Sequence, residues 1–347
     1  AAGHEADFKI GLKPEELKAI IGKYEALIVR SETKVTSSLI DKAVRLQVVG
    51  RAGVGVDNID LDAATAHGVA VVNAPTGNTI AAAEHAFALM MSLSRNVAQA
   101  DASMRRGEWT RGKFMGVELR GKTLGVIGLG KVGSEVAKRA VAFEMNVLAF
   151  DPYVAEDRAR AMRVEMVDMD RLVSESDFIS IHTPLTSGTK SLIGDSEFKK
   201  LKKGVRIINA ARGGLVDEGL LDAALKSGDV AGAALDVFTS EPPEEMPLLG
   251  NEKLVMTPHL GASTEEAQVE VAIEVVDQVM AVLNGEAAPY TINVPFVPAA
   301  VREALSPYIP VATLMGRLAI QLSEGQLDTV TVSVAGDISE HDTSIIG

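Results

Sequence analysis

The chain has 347 residues, a length that suggests two or three domains. With 34 Lys plus Arg against 47 Asp plus Glu, the formal net charge is −13. A surface that acidic repels phosphate backbones and anionic headgroups, so neither nucleic acid nor membrane is an expected partner.

The 47% hydrophobic content supplies sizeable cores, and the absence of cysteine excludes a disulfide scaffold, a thiolate metal site and a cysteine nucleophile. No metal is expected. No uninterrupted apolar run reaches the length of a membrane span, and the opening AAGHEADFKIG reads as neither signal nor transit peptide.

In chain order, short β-branched runs alternate with helical stretches. Residues 26–29 (ALIV), 47–50 (QVVG) and 69–73 (VAVVN) read as buried parallel strands, with helices over 14–21, 36–43 and 61–67. Residues 79–104 have no internal Gly or Pro and read as one long helix, suited to a core or to a connector between domains. A second series of strands follows at 122–127 (KTLGVI), 146–150 (NVLAF), 178–182 (FISIH), 205–209 (VRIIN), 231–236 (AGAALD) and 254–257 (LVMT). A helix over 265–283 stops at Asn284-Gly285. Prolines 289, 295, 298 and 307 then mark a crossing into a further segment. The alternation predicts an α/β fold built on doubly wound parallel sheets.

Residues 128–133 (GLGKVG) form a G-x-G-x-x-G between a strand and a helix, and Asp151 ends the next strand 23 residues after Gly128. Glycines there permit a tight turn and close approach of backbone to a pyrophosphate, which meets the positive end of the helix. Asp151 is suited to accept hydrogen bonds from an adenosine ribose diol and to repel a 2′-phosphate, which favours NAD over NADP.

Of the six histidines, His4, His67, His85 and His341 read as structural or surface residues, and His182 as structural or lining the cofactor crevice. His259 differs, because Thr257-Pro258-His259 places it at a strand exit, where α/β sheets carry their ligands. Glu241 lies 18 residues earlier, followed by two prolines; a carboxylate facing an imidazole stabilises its protonated form and fixes its tautomer. Arg212 follows another strand and can hold a carboxylate bidentately.

With these stretches, residues 50–58 (GRAGVGVDN), 205–217 (VRIINAARGGLVD), 233–243 (AALDVFTSEPP) and 258–264 (PHLGAST) make the sequence resemble the D-isomer-specific 2-hydroxyacid dehydrogenases over about residues 50 to 285. The resemblance implies Arg212, Glu241 and His259 as the catalytic set. It implies that the cofactor, NAD, touches Val54, Gly128, Gly130, Lys131, Val132, Gly133, Asp151, Thr183, Ala210, Ala211, Arg212, Asp236, His259, Gly261 and Ala262. For Asp236 the other reading is a cap on a strand-exit turn. The substrate would meet Arg51, Gly53, Asn78 and Arg212, with Arg105, Arg106, Arg111 and Lys113 around Trp109 as either a further phosphate subsite or a solvated basic turn.

The implied architecture is discontinuous. Residues 1–76 and 260–293 would bind substrate, 77–259 NAD, with a cleft between, and 294–347 would begin a further α+β domain cut before a C-terminal regulatory domain. The implied reaction is NAD-dependent oxidation of 3-phospho-D-glycerate to 3-phosphohydroxypyruvate, the entry to phosphorylated serine biosynthesis. The implied setting is a soluble homodimer or homotetramer in cytoplasm or plastid stroma. Two other readings stand beside it: a glyoxylate/hydroxypyruvate reductase of the same fold, separable by turnover of unphosphorylated glycerate, and an NAD-sensing binding protein without activity.

Overall fold

The strands foreseen from β-branched runs belong to two all-parallel sheets, and period-two alternation decides which side chain faces which layer. The computed structural model describes residues 3–244, 247–293, 301, 304–322, 332–341 and 343. The chain divides into two units, Ala1–Gly77 with Val269–Gly347, and Asn78–Gln268.

In the first unit β1 (Ala26–Val29), β2 (Val48–Arg51) and β3 (Ala70–Asn73) lie side by side in that order. Val49 and Val71 face one layer, packing with Ile21, Leu39, Ile40 and Ala64 from around α1 (Pro14–Ile20), α2 (Ser37–Ile40) and α3 (Leu61–Ala66). Their neighbours Val48 and Val72 face the other, against Val279 of α11 (Glu265–Leu283). Gly50 lets that helix seat: a Cβ there would stand 2.6 Å from Val279 Cγ2 and 2.9 Å from Val275 Cγ2.

The second unit holds a seven-stranded sheet. Its strands are β4 (Thr123–Ile127), β5 (Asn146–Phe150), β6 (Glu165–Met166), β7 (Phe178–Ile181), β8 (Val205–Asn209), β9 (Val230–Leu235) and β10 (Leu254–Met256). They run in the order β10-β9-β8-β7-β4-β5-β6. The chain builds outward from β4 through β5 and β6, then returns beside β4 with β7 and builds the other way. The β4/β7 boundary is therefore the switch point at which such sheets open a crevice beyond their carboxyl ends. Ile208, Ala234 and Val255 pack on the side of α4 (Thr79–Arg95) and α6 (Lys131–Ala142). Ile207, Ala233 and Leu235 pack on the side of α8 (Met169–Glu175) and α10 (Glu218–Ser227).

The long helix expected over 79–104 is two. Asn96 adopts a left-handed conformation (φ 53°), closes α4 and starts α5 (Val97–Arg105). Asparagine tolerates that region far better than most residues, and it ended the helix where neither Gly nor Pro warned of it. The two-residue β6 is too short to leave a periodic signal and was not foreseen. Much of 294–347, read as the start of a further domain, lies outside the described residues. Its described part includes α12 (Ile309–Leu322), with Leu314, Met315 and Leu318 exposed.

The segment that leads out of β3 is fixed by a carboxylate of α11. Glu274 accepts from the backbone N–H of Thr76 at 3.1 Å and of Gly77 at 2.9 Å, and from the Thr76 hydroxyl. Glu274→Ala leaves these part-buried donors unmet, a loss of about 1–3 kcal/mol. A lower urea midpoint at unchanged slope is expected; an unchanged midpoint would show that water replaces the carboxylate.

Candidate active site

The glycine-rich turn follows β4 at the switch point. Gly128 has φ 90° and sits so close to the β7 exit that a Cβ would lie 2.7 Å from the His182 carbonyl oxygen and 2.8 Å from Thr183 Cγ2. A Cβ on Gly133 would lie 1.9 Å from the Gly128 carbonyl oxygen, so only glycine allows α6 to begin this near the strand. Gly130, the N-cap of α6, has nothing within 4 Å of a Cβ position. Open space thus stands at a helix N-terminus, which is where an anion is favoured.

Asp151, at the end of β5, accepts from Leu129 N at 2.8 Å through Oδ2 and from Tyr153 N at 2.9 Å through Oδ1. With one such bond on each oxygen, lone pairs remain for a diol. The Thr183 Oγ1 is buried and has no hydrogen-bond partner among the described residues. An open helix start, acceptor capacity at Asp151 and an unmet hydroxyl at Thr183 fit a dinucleotide. Lys131 is exposed and Val132 packs partly against the core. His182 is held near its neutral form: burial pushes the imidazole down to about 4, and its Nε2 lies 2.8 Å from Ser180 Oγ.

Three neighbouring strand exits bring the other candidates to the same end of the sheet. After β8, buried Asn209 shapes the loop that carries Ala210, Ala211 and Arg212. Its Nδ2 donates to the Arg212 carbonyl at 2.8 Å and its Oδ1 accepts from Ala211 N at 3.1 Å. Sequence reading missed Asn209, whose only signal was a polar residue closing an apolar strand. Next comes Gly213, where a Cβ would fall 1.8 Å from the Phe238 carbonyl oxygen, so the loops after β8 and β9 touch backbone to backbone. After β9, Glu241 accepts from Phe238 N at 3.1 Å through Oε1. After β10, His259 stands with φ 56°, and its Nδ1 lies 2.7 Å from Glu241 Oε2.

With Nδ1 turned to the carboxylate, Nε2 of His259 has no hydrogen-bond partner among the described residues. That is the nitrogen available for proton exchange. A cavity of about 460 Å³, mostly apolar, lies beside the pair and is lined by residues that include Phe238, Pro242, Leu249 and Met256.

Asp236 takes the turn-capping position. It has no exposed surface, and its carboxylate accepts from Thr257 Oγ1 at 2.6 Å, Leu260 N at 2.7 Å and Gly261 N at 2.8 Å. His259 N donates to its backbone carbonyl at 2.9 Å. Burial raises its pKa, but hydrogen bonds from His85, Thr257 and Leu260 outweigh that and hold it below the ordinary range. Ala262 follows the same turn.

Asn78 starts α4 with no side-chain cap, and its buried Oδ1 has no hydrogen-bond partner among the described residues. In the first unit Arg51 ends β2, and Gly53 and Val54 lie in the turn that follows. Arg51 Nη1 donates to the Ala52 carbonyl at 3.0 Å, and Asn73 Nδ2 donates to the Val54 carbonyl at 2.6 Å. Gly53 has φ 144°, and a Cβ there would collide with the Arg51 guanidinium at 1.6 Å. In the basic stretch near Trp109, Arg105 pairs with Asp101 at 2.7 Å and Arg106 with Glu108 at 3.0 Å. Two of its four cations are thus engaged by neighbouring carboxylates. Among the described residues no cluster of His, Asp and Glu could hold a metal ion, and no helix is long and apolar enough to cross a membrane.

Residues 87–261 match the family model for the D-isomer specific 2-hydroxyacid dehydrogenase, NAD binding domain. The chain belongs to that family. It is 51% identical over 348 residues to D-3-phosphoglycerate dehydrogenase 2, chloroplastic, of Arabidopsis thaliana, covering 99% of this chain and 56% of that protein. It is 48% identical over 345 residues to the D-3-phosphoglycerate dehydrogenase of Archaeoglobus fulgidus, covering 99% and 66%. The chain spans between about half and two thirds of the length of these curated relatives. Among solved structures it is similar to D-lactate dehydrogenase from Aquifex aeolicus complexed with NAD and lactic acid, at TM-score 0.73 and 30% identity, covering 80% of this chain and 89% of that one.

Backbone contact at Gly213 sets the spacing between the Arg212 and Glu241 loops, so Gly213→Ala must push them apart. A loss of about 1–3 kcal/mol or more is expected from overpacking. Thermal melting reads it as a lower Tm, and a Tm equal to wild type would mean that the two loops separate freely.

Proposed function

We propose that the chain catalyses the NAD-dependent oxidation of 3-phospho-D-glycerate at C2, giving 3-phosphohydroxypyruvate. The observation that carries this reading is the His259–Glu241 pair at 2.7 Å, with the second imidazole nitrogen left available, on the same sheet end as the dinucleotide turn and Arg212. Oxidation of a secondary alcohol removes a hydride and a proton. NAD, when bound, supplies the acceptor for the hydride. His259 Nε2 receives the proton from the 2-hydroxyl, and Glu241 stabilises the imidazolium that forms while fixing which nitrogen faces the substrate. Arg212 holds the substrate carboxylate in the fork of its guanidinium.

The start of α6 and the turn at Gly128, Gly130, Lys131, Val132 and Gly133 hold the pyrophosphate, and Asp151 the ribose diol. Val54, Thr183, Ala210, Ala211, Gly261 and Ala262 complete the proposed cofactor contacts, with Asp236, which has no exposed surface, acting through the turn it holds. Arg51, Gly53 and Asn78 contribute to substrate binding. The preference for a phosphorylated acid is supported by the names of the relatives above. Residues 1–76 with 260–293 are proposed as the substrate domain, 77–259 as the NAD domain and 294–347 as part of a third. A homodimer or homotetramer is supported by the apolar side chains of Val97, Met104, Trp109 and Met115, each more than half exposed. Cytoplasm or plastid stroma is the proposed setting.

NADH formation at 340 nm with 3-phosphoglycerate as the only added substrate tests the reading directly. Equal turnover of unphosphorylated glycerate would replace it with a less selective dehydrogenase. His259→Ala is expected to lower kcat by about 10²–10⁴-fold while NADH still binds, as followed by its fluorescence. Wild-type turnover in that variant would remove His259 from the chemistry. Asp151→Ala is expected to narrow the preference for NAD over NADP by at least about tenfold, near 1.4 kcal/mol. Parallel titrations with the two cofactors measure it, and an unaltered ratio would free Asp151 of the role.

A further inference from the structure

His85 sits in α4, with its ring about one-fifth exposed, and is neither a proposed catalytic residue nor a proposed ligand contact. Its Nε2 is 3.1 Å from Asp236 Oδ1 and 3.1 Å from Thr257 Oγ1. Proton counting settles which atom donates. Thr257 has one hydroxyl hydrogen, and the 2.6 Å contact assigns it to the Asp236 carboxylate, which is ionised and can only accept. Thr257 Oγ1 must then accept from His85, so His85 Nε2 carries a hydrogen shared between Thr257 and Asp236. The same carboxylate holds Leu260 N and Gly261 N, the two amides that follow His259. His259 itself is in left-handed backbone geometry, which a residue with a Cβ adopts only where its surroundings enforce it.

We infer that His85 is a positioning residue for His259: through its Nε2 hydrogen it orients Asp236 and Thr257, and these hold the 257–261 turn in the conformation that presents the His259 imidazole to Glu241. This rests on the reading of His259 as the proton-transferring group. Gly261, by contrast, makes room for the device, since a Cβ there would approach Asp236 Oδ2 to 3.3 Å.

Two substitutions separate the hydrogen bond from the bulk of the ring. His85→Leu keeps an apolar side chain of similar size and removes the donor, whereas His85→Gln returns an N–H₂ group near the place of Nε2. Hydrogen exchange on the cofactor-free protein reads the turn without any catalysis. In the Leu variant the amides of Leu260 and Gly261 are expected to exchange about five- to tenfold faster, and Gln is expected to restore them. In steady-state assays Leu is expected to lower kcat by about ten- to a hundredfold, and Gln to return most of the loss.

Unchanged exchange and kcat in the Leu variant would overturn the inference. So would a Gln variant that fails to recover activity, including the case in which Leu does not fold. His259→Ala, assayed alongside, tells the two possible failures apart. If it keeps wild-type turnover, the reading of the site is wrong. If it is inactive while His85→Leu behaves as wild type, only the role of His85 falls.

Discussion

A carboxylate removed from water costs several kcal/mol unless its oxygens are met by donors, and Asp236 is removed from water completely. Its solution is to draw donors from three places: a helix through His85, a strand end through Thr257, and a loop through the amides of Leu260 and Gly261. The debt is what gives the arrangement its rigidity, because losing any donor exposes the cost of the charge. A loop held by backbone-to-backbone bonds alone would satisfy its own polar groups in several conformations. One held by a buried charge has far fewer, and the left-handed backbone of His259 is among what that charge maintains.

The parallel sheet decides where such a device can be useful. All seven strands of the second unit end on one side, so the exits of β4, β5, β7, β8, β9 and β10 gather there whatever their distance in sequence. Glycine then sets how closely these exits approach. At Gly128, Gly133 and Gly213 the space of one methyl group is occupied by a neighbouring carbonyl or side chain. At Gly130 that space is open, so the same residue type serves packing at three positions and access at the fourth.

How much of this the sequence discloses follows from the range of each interaction. The strand at 146–150 is legible because burial on both faces leaves an apolar run, Val147 to Phe150, between Asn146 and Asp151. The dinucleotide turn is legible because its glycines, its strand and its acidic partner are near neighbours in the chain. The His259–Glu241 contact was foreseen as chemistry, although the distance between them is set by folding. His85 and Asn209 were not, because what distinguishes them is the partner across space, 151 positions away for His85 and Asp236. The break at Asn96 was missed for a different reason: the helix ends on a conformation that asparagine tolerates and does not require.

Exposure of the central pair adds a final constraint. The His259 and Glu241 side chains are 45% and 37% exposed, and in that much water the attraction between an imidazolium and a carboxylate is screened to a small value. A short contact alone therefore contributes little electrostatic strength. What strengthens it is the removal of water, since the same two charges interact several times more strongly as the surrounding dielectric falls. On the proposed reading, substrate and dinucleotide supply that cover themselves. The pair is held at the right distance beforehand by Asp236 and the turn, and becomes effective as ligand displaces solvent from around it. Geometry is thus built into the empty protein, while the electrostatic strength of the site is conferred by the molecules it binds.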